Sequence, residues 1–166
     1  NCFTSTYDVY QLEVVNFMTD QTGSNSHPRL YFRKGGASGA DQDGINYVSV
    51  TDYAYGNFNG SSQNRSGDKT HGTGGWRPLN GWNAPNNSHN IISLKIHHKS
   101  GKFVLASGVC GGVQGDGGSE NFHSTHQCHS TDLDVIKGTN QTGIKLVPVS
   151  GNIKAGCIMA IYGIKL

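Results

Sequence analysis

Two stretches of the chain hold residue types that could do chemistry. His123-Ser-Thr-His126-Gln-Cys128-His129 sets three imidazoles and a thiol in one short segment. These are donors that zinc prefers, at about 2.0 to 2.3 Å each. Structural zinc sites ordinarily draw ligand pairs from separate parts of a chain and so close a fold, whereas here every ligand would come from one place. The competing expectation is a polar loop that carries histidines, with no resident cofactor. In a symmetric oligomer the same histidines could meet near the axis on a shared ion. If a metal binds, His123, His126, Cys128 and His129 are its expected ligands.

The second stretch is His71-Gly-Thr-Gly-Gly-Trp76-Arg77-Pro-Leu-Asn-Gly-Trp82-Asn83. Flat aromatic rings stack on the apolar faces of sugars while amides and a guanidinium bond the hydroxyls. Trp76, Arg77, Trp82 and Asn83 are therefore the expected ligand or receptor contacts. The opposing expectation is that the tryptophans pin a glycine-rich segment to the body of the domain. An exposed ring favours contact, and a buried ring favours the anchor.

Motifs for catalysis are scarce, and no enzyme activity is expected. Gly111-Gly-Val-Gln-Gly-Asp-Gly-Gly lacks the lysine and the following helix of a phosphate loop. Asp41-Gln-Asp43-Gly44 begins like a calcium loop but has neither its register nor its closing glutamate. No serine or cysteine sits in a nucleophile elbow. Cys2, Cys110, Cys128 and Cys157 allow two disulfides in three connectivities, and a Cys110–Cys128 bridge would staple the base of the histidine segment. Cys157 lies in an apolar run where a buried free thiol is ordinary, so free thiols are expected.

The elements that must position these residues are strands. Charged residues are only 14% of the chain and glycines number 24, a balance that favours strands and polar connections over helices. Alternation of apolar and polar residues marks Tyr7 to Phe17, where Tyr10, Leu12 and Val14 oppose Gln11 and Glu13, and Arg29 to Lys34, where Leu30 and Phe32 alternate with Arg29, Tyr31 and Arg33. Further strands are expected at Ile45 to Tyr55, Asn90 to His98, Lys102 to Ser107, Asp132 to Lys137, Ile144 to Val149 and Cys157 to Leu166. The last should be packed inside a sheet, burying Ile158, Ile161, Tyr162 and Ile164. Lys99-Ser100-Gly101 reads as a hairpin turn.

About eight strands at irregular spacing predict an all-β fold, a jelly-roll-like antiparallel β-sandwich. Gly56 to Ser88 and Gly108 to Thr131 read as two long Gly-rich loops, the kind of connection that carries function. The 166 residues make one domain. With Asn1 and not Met as its first residue, the chain is expected to be the C-terminal part of something longer. The net charge of +2 is mild and scattered, which argues against a nucleic-acid surface, and no apolar run reaches the roughly 20 residues of a membrane helix.

The two ends together resemble virion proteins of tailed bacteriophages, in particular the tail, fibre and capsid-appendage proteins of podoviruses. The resemblance rests on Phe3-Thr-Ser-Thr-Tyr7-Asp8-Val-Tyr10 and on Gly156-Cys-Ile158-Met-Ala-Ile161-Tyr162-Gly163-Ile164, and it continues through Leu30-Tyr-Phe-Arg-Lys-Gly-Gly36 and Asn46 to Tyr55. The two long loops lie outside it, and Cys157 stands where a small polar residue is expected. The resemblance implies a jelly-roll-like sandwich displayed on the virion surface, often as a homotrimer. Its partners would be a host cell-surface receptor, glycan included, or other virion proteins. It carries over no site residues. The alternative is a lectin-like carbohydrate-binding module of a secreted protein that uses Trp76 and Trp82, with a hydrolase domain third.

Overall fold

The computed structural model describes residues 2–4, 6–21, 27–34, 47–57, 62–72, 74–78, 88–98, 104–116, 119–131 and 141–166. These residues form nine strands and no helix: β1 Val9–Phe17, β2 Pro28–Lys34, β3 Tyr47–Asn57, β4 Ser62–Gly72, β5 Ser88–His97, β6 Leu105–Asp116, β7 Ser119–Thr131, β8 Gln141–Pro148 and β9 Ile158–Ile164. Seven of them make one sheet in the order β4-β3-β7-β6-β5-β1-β9, and β2 and β8 pair as a separate ribbon. Every ladder is antiparallel.

The alternation expected of β1 and β5 is what the sheet uses. Leu12 stands opposite Leu94 and Val14 opposite Ile92, all four are fully buried, and Gln11, Glu13, Ser93 and Lys95 lie on the other face. Between Val14 and Phe17 the register slips. Asn16 takes a left-handed φ of 56° there, a conformation that asparagine tolerates better than most residues. The extra residue returns Phe17 to the core side, and Asn90 locks the bulge by donating from Nδ2 to the Phe17 carbonyl at 2.9 Å and to Ser88 Oγ at 2.8 Å.

One hydrophobic core draws on both sheets. Tyr10, Leu12, Val14 and Phe17 of β1 and Ile92, Leu94 and Ile96 of β5 meet Leu30 and Phe32 of β2 and Leu146 of β8. Burying each large side chain contributes about 1.5 to 3 kcal/mol. The N-terminal segment straps the two sheets together. The Cys2 and Phe3 amides donate to the Thr142 carbonyl at 2.9 and 3.3 Å, and Phe3 packs edge-on to Tyr10 and stacks on His98.

Three expectations change. The span 56–88 holds β4, and the span 108–131 is almost wholly the β6–β7 hairpin, so neither is one long loop. Backbone ladders between β3 and β4, β3 and β7, and β6 and β7 extend the sheet there, and Cys110 of β6 enters the core. The terminal strand is the sheet's edge and not its interior, since β9 pairs with β1. Ile158 and Tyr162 are 62% and 58% exposed, on the face turned away from the core. Ile161 alone of the four packs against the core cluster. The expected turn at 99–101 and the strand at 132–137 lie outside the described residues.

Candidate functional site

Trp76 is the first correction among the expected contact residues. Its ring is fully buried, edge-on to Phe32 at 4.9 Å and to Tyr47 at 6.4 Å between centroids, so it cannot stack on a ligand. The anchoring expectation describes it correctly. Trp82 and Asn83 lie outside the described residues.

The four soft donors are not loop residues but part of β7. His126 pairs with Val109 and Asp52, and Cys128 with Ser107 and Val50. His123 pairs with Gly112 and Tyr55, and His129 with Ala106 and Ser49. Successive strand residues belong to opposite faces, so positions 126 and 128 share the face of exposed Val109 and Asp52, while 123 and 129 share the face of buried Ala106 and Ser49. Among the described residues no three His, Cys, Asp or Glu side chains converge as a metal site. Cys2, Cys110 and Cys157 are free thiols.

Arg77 leads to a different constellation. Trp76 and Leu30 exchange both backbone hydrogen bonds, at 2.9 and 3.0 Å, an antiparallel bridge on the edge of β2 opposite β8. The bridge sinks both side chains into the core, and the alternation that buries Leu30 and Phe32 sends Arg29 and Tyr31 to the other face of β2. Antiparallel register then puts Arg77 beside Arg29 and Gly75 beside Tyr31. Gly75 has φ 79°, and a Cβ there would lie 2.8 Å from the Leu30 carbonyl and 3.1 Å from the Tyr31 ring, so only glycine fits. Gly74 accepts a hydrogen bond from Arg29 Nη1 at 2.9 Å. The Arg77 amide donates to Ser49 Oγ at 3.2 Å. His27 precedes β2, held by the Val149 amide on its carbonyl at 3.1 Å.

The result is a cluster of two guanidiniums and an imidazole, all half-buried. Burial pushes His27 below the usual imidazole range, and the charges of Arg29 and Arg77 push it the same way. Burial also lowers Arg77, with Arg29 adding to the effect and Tyr31 opposing it. Among the described residues no carboxylate pairs with any of the three. Arg29 Nε and His27 Nε2 are buried without a hydrogen-bond partner. Like charges held together out of water at their own cost form a ready receptor for an anion.

A second polar group, on the outer face of the large sheet, is closed by comparison. Glu13 Oε1 accepts from Gln11 Nε2 at 2.9 Å and from Ser93 Oγ at 2.8 Å, so the serine donates straight to a carboxylate with no base between. Sequence reasoning marked Arg77 and missed His27 and Arg29. The three are brought together by a single backbone bridge across 46 residues of chain, and the only local signal was the outward alternation of Arg29 with Leu30. No protein-family model, curated protein or solved structure matches the chain.

Proposed function

We propose that this domain is a non-enzymatic part of a tailed-bacteriophage virion, from a tail, fibre or capsid-appendage protein with a jelly-roll-like sandwich, and that it acts in host attachment or virion assembly. The observation that carries the reading is the His27–Arg29–Arg77 cluster, an uncompensated cationic surface mounted on a hydrogen-bonded ribbon. It offers donors for a partner and no nucleophile and base in contact. The two segments that bear the resemblance also meet in the sheet, which supports it too, since Val9 and Tyr10 at the end of the first stand opposite Ile164 and Gly163 of the second. Burial of Trp76 removes one of the two rings, Trp76 and Trp82, on which the lectin-like alternative relied.

The test is adsorption. Fluorescently labelled domain, incubated with a panel of bacterial strains, is expected to be retained by a subset of them and to slow phage adsorption to the same subset. Retention by none, or equal retention by all, overturns the attachment role. The homotrimer belongs to the same proposal, and light scattering is expected to give three times the chain mass. A monomeric mass at every concentration up to the millimolar range would remove that part alone.

A further inference from the structure

We infer that the His27–Arg29–Arg77 cluster binds a phosphate or sulfate ester carried on a saccharide. The inference rests on the attachment reading for the saccharide, and on the cluster's own geometry for the anion. The Leu30–Trp76 bridge brings three side chains on two chain segments together, and two of their nitrogens, Arg29 Nε and His27 Nε2, are buried with no partner; the first is a donor in every state, and the second is one in the Nε2–H tautomer that an oxyanion would select. A buried donor without an acceptor is unfavourable, and a bound oxyanion satisfies it. No described carboxylate competes for the guanidiniums. A carboxylate ligand brings two acceptor oxygens, whereas a tetrahedral ester brings three terminal ones, which matches three donor-bearing side chains. Guanidinium forks suit such oxygens bidentately.

The backbone keeps the place both fixed and open. The Gly74 carbonyl tethers Arg29 through Nη1 at 2.9 Å, while its Nε stays buried without a partner. A Cβ on Gly74 would collide with the Arg29 guanidinium, and one on Gly75 would crowd the Tyr31 ring, so the glycine pair keeps side chains off the cluster. Tyr31 is held edge-on to Tyr47 at 5.9 Å between centroids. Half-buried beside the arginines, it supplies an aromatic edge and a hydroxyl of the kind that holds the sugar to which the ester is attached.

The experiment is a titration of the whole chain followed by calorimetry and by the arginine Nε–H signals in 1H–15N spectra. Its ligands are glucose 1-phosphate, glucose 6-sulfate, inorganic phosphate, glucose and acetate, at matched ionic strength. Glucose 1-phosphate is expected to move the Arg29 and Arg77 signals saturably and to bind at least about fivefold tighter than inorganic phosphate, with acetate and glucose weaker still. Arg77→Gln should weaken it by about tenfold or more, while Lys95→Gln, a charge lost from the far face of β5, should leave it within about twofold. Because the Arg77 side chain makes no hydrogen bond among the described residues, that variant should melt as the parent does. If it does not, the wild-type arginine shifts decide. No saturable shift, equal loss in the two variants, or acetate binding as tightly as the phosphate ester would overturn the anion site. Inorganic phosphate binding as tightly as the sugar phosphate would overturn the saccharide. Sugar-phosphate binding without adsorption to any strain would leave the site standing and sink the attachment reading.

Discussion

At Trp76 a ring of the type that stacks on sugars instead fills the space between Phe32 and Tyr47, while its backbone extends the edge of β2. Trp76→Ala is therefore expected to cost about 3 to 5 kcal/mol in urea unfolding, and to weaken ligand binding only through loss of fold. A stable variant with impaired binding would reverse this assignment. His98 governs a second outcome. Its imidazole stacks on Phe3 at 4.4 Å and 5° and its Nε2 meets Gln141 Oε1 at 3.2 Å. Burial depresses its pKa, partly offset by the Gln141 bond, its own backbone and the charge of Asp8. The unfolded chain titrates near ~6.5. Above that value both states are neutral and stability does not depend on this group. Below it the unfolded chain takes up a proton that the folded one resists, so stability falls as the pH drops from about 7 to 5. Unfolding curves across that window should show the decline, and His98→Gln should flatten it. Half-buried His27 adds a decline of the same sign. A slope unchanged by His98→Gln would place the proton uptake elsewhere.

Among the elements, β6 turns its glycines to use. A Cβ on Gly108 would run into the Ser93 carbonyl and lie 2.9 Å from Leu94 Cα, and one on Gly112 would collide with the Asn90 side chain. Gly108→Ala is expected to lower stability by about 1 to 3 kcal/mol, measured by thermal or urea unfolding, and a neutral result would mean that β5 and β6 can separate without loss. The same strand shows what could be read from residues alone and what could not. β1, β2, β5, β8 and β9 announce themselves because each puts apolar residues on alternate positions or in a short run. β4, with Ser62-Gln-Asn-Arg-Ser-Gly-Asp-Lys-Thr-His-Gly72, has no apolar residue at all, β7 has only Phe122 and Cys128 among polar residues, and in β6, of which only the start was expected as strand, glycines and polar residues interrupt the apolar ones. Their place in the sheet comes from neighbouring backbones, a long-range cause that leaves no local period. The cationic cluster was half-legible for the same reason. Arg77 drew notice from its aromatic neighbours, but its partners His27 and Arg29 reach it through the Leu30–Trp76 bridge, and no spacing in the sequence encodes that bridge.

On the scale of the whole molecule, the core lies where the ribbon meets the large sheet, and the β9 edge is weakly involved in it. Ile161→Ala, which truncates the one large β9 side chain packed on the core cluster, is expected to cost about 1 to 3 kcal/mol. Ile158→Lys should stay within about 0.5 kcal/mol of the parent. Equal costs would show that β9 is covered on both faces. The placement of β9 also has a mechanical side. Val9, which opens β1, stands opposite Ile164, which closes β9, and the ladder runs inward from there to Val15 and Ile158. Tension on the C-terminal end therefore meets the Val9–Ile164 rung by itself, then the next, and no two rungs share the load. Pulled away from Val9 in this way, the strand would unzip from its outer end one rung at a time. β1 would stay seated, gripped along its other side by β5.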